Sequence, residues 1–118
     1  MRLLPNQRIR TTHSFQAAFQ EGKKVDCRYF FMFLNQAKEP STNTTKPRVG
    51  IIASRKVGGA VKRNYAKRIF RDIFRNNQEL IPHNCDIIIV IRSHFNKVPF
   101  KELEMFFIST CKRYFHQQ

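Results

Sequence analysis

The 118 residues suffice for one domain and not for two, and by surface scaling the chain buries roughly 65% of its unfolded surface on folding. A net charge of +14, from 22 Lys and Arg against 8 Asp and Glu, favours a polyanionic partner, either nucleic acid or an anionic membrane surface. Twelve Phe exclude a disordered basic tail, which would be poor in aromatics, and no apolar run nears the ~20 residues of a membrane span, so a cytoplasmic protein is expected.

Residues 1–11, with Arg2, Arg8 and Arg10, read as a flexible basic arm that orders only against a partner, at the start of a single domain spanning 1–118. Thr12 or Ser14 then caps a short helix with Phe15, Ala18 and Phe19 along one side, stopped by Gly22. Phe15 and Phe19 stand at i and i+4, so their rings lie side by side, and spacing alone makes them core residues. Arg28 to Leu34 is a strand with two apolar faces, Phe30, Met32 and Leu34 on one and Tyr29, Phe31 and Phe33 on the other. Either helices cover both faces, or one aromatic face stays partly open to bind something. Three short helices are too few to cover two faces, which leaves Phe31 and Phe33 as walls of a groove on which bases can stack.

Residues 35–46 read as a polar hairpin loop, and Pro47 to Ser54 as the next strand, in which Gly50 marks a bulge or a close approach of backbone. That strand delivers the chain into Arg55 and Lys56, then into a loop holding Gly58 and Gly59. A helix follows. At about 100° per residue, Val61, Tyr65, Ala66, Ile69, Phe70 and Ile73 fall on one half of its circumference. Arg63, Asn64, Lys67, Arg68, Arg71 and Arg75 fall on the other, with Phe74 among the cations and Lys62 within the apolar arc. A helix that is merely solvated carries acidic residues at i, i+4 to its cations, yet from Arg55 to Arg75 the only acid is Asp72. Such a face is built to meet an anion.

Asp86 to Arg92 is the most hydrophobic run and reads as the central strand, so strand, helix and strand here imply a parallel pair that brings Arg92 near Arg55. Pro99 opens a final helix whose Leu103, Phe106, Phe107, Cys111, Tyr114 and Phe115 close the core. The fold class expected is α+β: a single-domain α-β sandwich, about four strands in a mixed sheet with three helices, in the order α-β-β-β-α-β-α. Cys27, Cys85 and Cys111 are odd in number and form no C-x-x-C pair, which argues against both a disulfide framework and a zinc site. The acids are scattered; only Glu102 and Glu104 are close, and at i, i+2 they point apart, while His13, His83, His94 and His116 fall in loops or near the termini. No self-contained catalytic or metal site is therefore expected in the chain.

The run from Lys56 to Arg71, KVGGAVKRNYAKRIFR, closely resembles the arginine-rich signature of the bacterial ribonuclease P protein subunit, matching its K-x-G-N-A-V-x-R-N-x-x-K-R-x-x-R spacing without a gap. Two positions depart from it: Gly59 stands where Asn is usual, and Tyr65 where Arg is common. The likeness extends to Ser14 to Phe19 with Gly22, and to Arg48-Val49-Gly50, nearly the whole chain. It implies a left-handed β-α-β crossover, a catalytic RNA that performs Mg²⁺-dependent removal of the 5′ leader from precursor tRNA, and a protein that assists it. Carried over by position, Lys56, Arg63, Asn64, Lys67, Arg68 and Arg71 are expected to grip the catalytic RNA. Phe15, Phe19, Phe31 and Phe33, with Arg55 and Arg92 at the rim, are expected to hold the leader. Mg²⁺ is then required by the RNA subunit, and no membrane or obligate protein partner is expected. A ribosomal or RNA-chaperone protein is the competing expectation from charge and aromatics alone.

Overall fold

The computed structural model describes residues 7–9, 12–36 and 46–115. Over these the chain forms α1 (Thr12–Glu21), β1 (Lys23–Asp26), β2 (Phe30–Gln36), β3 (Arg48–Ala53), α2 (Ala60–Asn76), β4 (Cys85–Ile91) and α3 (Phe100–Phe115). The expected order of elements holds, in a single mixed sheet arranged β1-β2-β4-β3. The isoleucine-rich β4 is internal because both of its faces are apolar: Ile87, Ile88 and Ile89 are all fully buried. It runs antiparallel to β2 and parallel to β3.

Placing β4 between β2 and β3 corrects the hairpin expected at 35–46, since the two strands flanking that loop do not pair. Its residues 37–45 lie outside the described residues. The hairpin lies one connection earlier, where β1 turns into β2 through Cys27, Arg28 and Tyr29. Arg28 adopts a positive φ of 73°, and Asp26 Oδ1 accepts a hydrogen bond from the Arg28 amide at 2.8 Å, closing the turn locally. Strand β1 went unread because Lys-Lys-Val-Asp shows too little apolar alternation to signal one.

Directly paired residues project to the same side of a sheet, so the register assigns two faces. Phe30, Met32 and Leu34 of β2 align with Ile91, Ile89 and Ile87 of β4, and these with Ala53, Ile51 and Val49 of β3. Helices α2 and α3 cover this face; Phe70 meets Phe30 edge-on with centroids 4.8 Å apart. The opposite face carries Phe31, Phe33, Ile88, Val90, Gly50 and Ile52; among the described residues α1 lies over it through Phe15 and Ala18, with Ile9 of the N-terminal segment packed beside them. Tyr29, expected to share the face of Phe31 and Phe33, is instead buried in the main core beside His94 and Phe106, because the turn at Arg28 breaks the strand alternation.

The packed stripe of α2 is rotated from the one expected. Ala66, Phe70, Ile73 and Phe74 are buried, while Val61 and Tyr65 are 85% and 53% exposed. Phe74 therefore belongs to the core and not to the cationic side. Part of the expected arm is also fixed. Gln7 is 1% exposed, its Nε2 donating to Pro47 O at 3.1 Å and Gln78 Oε1 at 2.8 Å, and the Ile9 amide donates to Val49 O at 2.9 Å. Residues 1–6, 10 and 11 of that arm lie outside the described residues.

Candidate nucleic-acid interface

Strand β3 ends in a single 3₁₀ turn, Arg55–Val57, held by Ser54, whose Oγ accepts from the Lys56 amide at 3.3 Å while Val57 is buried. Gly58 follows with a φ of 147°, a conformation that side chains rarely adopt. Gly59, by contrast, is extended, and a Cβ there would meet nothing within 4 Å. It occupies the N-cap of α2 without a side-chain hydrogen bond, and no acid stands in the first turn, so the helix N-terminus faces outward with its positive end uncompensated by side chains.

The six residues expected to grip RNA divide by direction. Lys56, Asn64 and Arg68 are exposed, next to the outward-facing Val61 and Tyr65; Lys67 and Arg71 are half-buried and turn toward β3. Arg63 is half-buried too, its Nε enclosed without a hydrogen-bond partner among the described residues. The ion pairs among the described residues are Arg48–Asp86, Arg75–Asp72 and Arg92–Asp26, so none of the five cations among the six is neutralised by an acid there. Only Arg75, of the cations placed on that side of the helix, has a partner, Asp72 Oδ1 at 2.8 Å.

On the half-covered sheet face the rings form a continuous series. Phe15 and Phe19 lie with centroids 6.5 Å apart and planes 29° apart, and Phe19 meets Phe33 edge-on at 4.8 Å. Phe19 is 37% exposed, and Phe15, Phe31 and Phe33 are half-buried. Phe31 is placed differently from the others: Lys24 Nζ lies 4.4 Å and the Arg92 guanidinium 4.8 Å from its centroid. Arg92 also donates to Arg28 O at 3.2 Å and to Asp26 Oδ1 at 3.5 Å. Although Arg92 and Arg55 leave neighbouring strands, as expected, the Arg92 guanidinium turns back over β2 and β1 instead of toward Arg55. Arg55 is exposed, with no ion pair and no ring beneath it among the described residues.

Lys24, whose Nζ lies over Phe31, is a residue of this face that the sequence does not single out. Its signal was available only through pairing, since it lies opposite Phe33 once β1 is recognised. Arg8 was read as part of a loose arm, yet it lines a cavity with Phe15, Lys67 and Arg71, residues expected to serve two separate RNA contacts. Among the described residues, no three His, Cys, Asp or Glu side chains converge to hold a metal ion, and no helix is long and apolar enough to cross a membrane.

Residues 3–114 match the ribonuclease P protein family. The chain belongs to the ribonuclease P family. It is 37% identical over 93 residues to the ribonuclease P protein component of Desulfovibrio desulfuricans, covering 78% of this chain and 69% of that one. With the Thermotoga maritima component it shares 32% over 111 residues, 91% of each chain. In three dimensions the Staphylococcus aureus ribonuclease P protein superposes with a TM-score of 0.77 at 27% identity, covering 95% of this chain and 98% of the other. The Thermotoga maritima protein gives 0.75 at 32% identity, covering 90% and 96%. Ribonuclease P is a ribonucleoprotein endoribonuclease of tRNA processing; the chain is its protein subunit, and the RNA subunit is its partner. The ribosomal and chaperone reading gains no support from these relatives.

Proposed function

We propose that the two surfaces divide the labour of the ribonuclease P holoenzyme. Helix α2, through the outward Asn64 and Arg68 and the half-buried Arg63, Lys67 and Arg71, with Lys56 in the turn before it, binds the catalytic RNA through charge-assisted contacts to phosphates. The half-covered sheet face binds the single-stranded 5′ leader of precursor tRNA, its bases stacking on Phe15, Phe19 and Phe33, with Phe31, Arg55 and Arg92 toward the rim. The observation that carries this reading is the continuous series of partly exposed rings on a half-covered sheet face, beside Lys67 and Arg71, which have no ion-pair partner among the described residues.

Stacking on such rings contributes about 1–3 kcal/mol per base and tolerates any sequence, as a leader site serving many tRNAs requires. Neutralising leader phosphates lowers the repulsion between substrate and RNA enzyme, so less Mg²⁺ is needed to hold both together. The metal ions serve the RNA, and the protein acts on affinity and metal requirement in the cytoplasm. The test is cleavage of a precursor tRNA by a bacterial ribonuclease P RNA at low Mg²⁺, with and without this protein and with the protein alone. Cleavage restored only by the combination is expected; no stimulation, or cleavage by the protein alone, overturns the assignment.

A further inference from the structure

Where the N-terminal segment, α1, β3 and α2 meet, a cavity of about 130 Å³ is lined by Arg8, Lys67, Arg71, Phe15 and Gly50, with apolar neighbours from β3 and Ile9. Its volume falls well below the several hundred Å³ of sites that enclose a drug-sized ligand, which suits a phosphate and its attached ribose more than a whole nucleotide. Three cations from two distant parts of the chain share it, and no acid lines it. None of the three has an ion-pair partner among the described residues. Lys67 and Arg71 are a like-charged i, i+4 pair, an arrangement that by itself destabilises a helix. The apolar lining lowers the local dielectric, which sharpens repulsion when the cavity is empty of anion and attraction when one is bound. Glycine at position 50 is required by the same arrangement: a Cβ there would stand 2.6 Å from Phe15 Cε1, so the ring can lie over β3 only while residue 50 lacks a side chain.

We infer that this cavity takes one backbone phosphate of an RNA strand that crosses the β3 edge between the aromatic sheet face and the cationic flank of α2, with the ribose against Phe15. The inference rests on the RNA-binding reading given above and joins its two surfaces, which share Phe15, Lys67 and Arg71 at this point.

The test uses the full-length, ¹⁵N-labelled protein and two probes: a uridine hexanucleotide without terminal phosphates, and inorganic phosphate. The hexanucleotide is expected to shift the Gly50 and Ile51 amides. Arg8→Gln and Arg71→Gln should each weaken its binding about tenfold, and each should reduce the slope of log affinity against log salt by about 0.7. Gly50→Ala, which leaves the charge unchanged and drives the Phe15 ring into the cavity, should weaken binding comparably; Lys101→Gln on α3 should not. Should Gly50→Ala fail to fold, Arg8→Gln still decides the matter, because wild-type affinity and slope in that variant overturn the inference. Amide shifts produced by inorganic phosphate and not by the hexanucleotide overturn the strand assignment and leave a free-anion site. Stimulation of cleavage by the wild-type protein is read separately, so the accessory role can stand while this cavity fails, and the reverse.

Discussion

Phe31 and Phe19 sit on the same sheet face with different work to do. The Phe31 ring is engaged by Lys24 and Arg92, whereas Phe19 is 37% exposed and meets the rings of Phe15 and Phe33. Replacing Phe19 by Ala should therefore weaken binding of leader-bearing precursor tRNA by about 1–3 kcal/mol while sparing mature tRNA. Phe31→Ala should have the smaller effect, acting through loss of the cation–π contacts that fix Lys24 and Arg92. Fluorescence anisotropy with the two tRNAs checks both; equal losses for precursor and mature tRNA would remove the stacking assignment. The cysteines give a second prediction at this scale. Burial pushes Cys85 and Cys111 up to about 12 from an ordinary 9.0, and raises Cys27 as well, against the opposing hydrogen bond from Thr110. The folded state thus holds more protons than the unfolded state above pH 9, so their contribution to stability is complete below pH 9 and is lost as pH rises toward 12. The urea midpoint should fall with pH across that window, and less steeply in Cys111→Ala.

Helix α2 shows what angular analysis delivers and where it stops. Counting residues on a wheel separated the apolar from the cationic side, but the rotation of the packed stripe was set by tertiary contacts, chiefly β3 beneath the helix and α3 beside it. These bury Phe74 fully and leave Val61 and Tyr65 outside. Phe74→Ala should cost about 3–5 kcal/mol in urea unfolding, and Val61→Ala should stay within about 0.5 kcal/mol. Were the two costs equal, the placement of the stripe would be wrong. The same limit applies to strands. The β4 run was legible because Ile87 to Ile89 is apolar on both faces, and the open aromatic side of β2 followed from counting helices. Which strands pair was not legible, since β4 enters between β2 and β3 only through contacts distant in sequence. The cross-strand pair Arg48–Asp86, bidentate at 2.8 and 2.6 Å, helps to hold that parallel register and is visible only once the strands are aligned. The signature from Lys56 to Arg71 falls on α2 and the turn before it, but the split between outward Asn64 and Arg68 and inward Lys67 and Arg71 needed the fold.

Ion pairing leaves the net charge of +14 unchanged, and the ion pairs among the described residues engage only Arg48, Arg75 and Arg92 of the basic side chains. Binding to the RNA subunit should accordingly weaken steeply with salt. Arg68→Ala, which removes an exposed cation with no ion-pair partner among the described residues, should reduce the magnitude of that slope by about one unit if it contacts a duplex phosphate. A filter-binding series in KCl measures it, and an unchanged slope would mean that Arg68 stays in solvent.

The packed N-terminal segment bears on a separate property, resistance to aggregation. A four-stranded sheet has two margins whose unpaired amides and carbonyls can recruit another chain. Here one margin is a short strand carrying Lys23 and Lys24, and the other is partly closed by Arg8 and Ile9, anchored through the Gln7 side chain. Self-repulsion does the rest at low ionic strength. When salt screens that repulsion, the pairing of Arg8 and Ile9 alongside β3 still occupies part of the margin that strand-to-strand association would use.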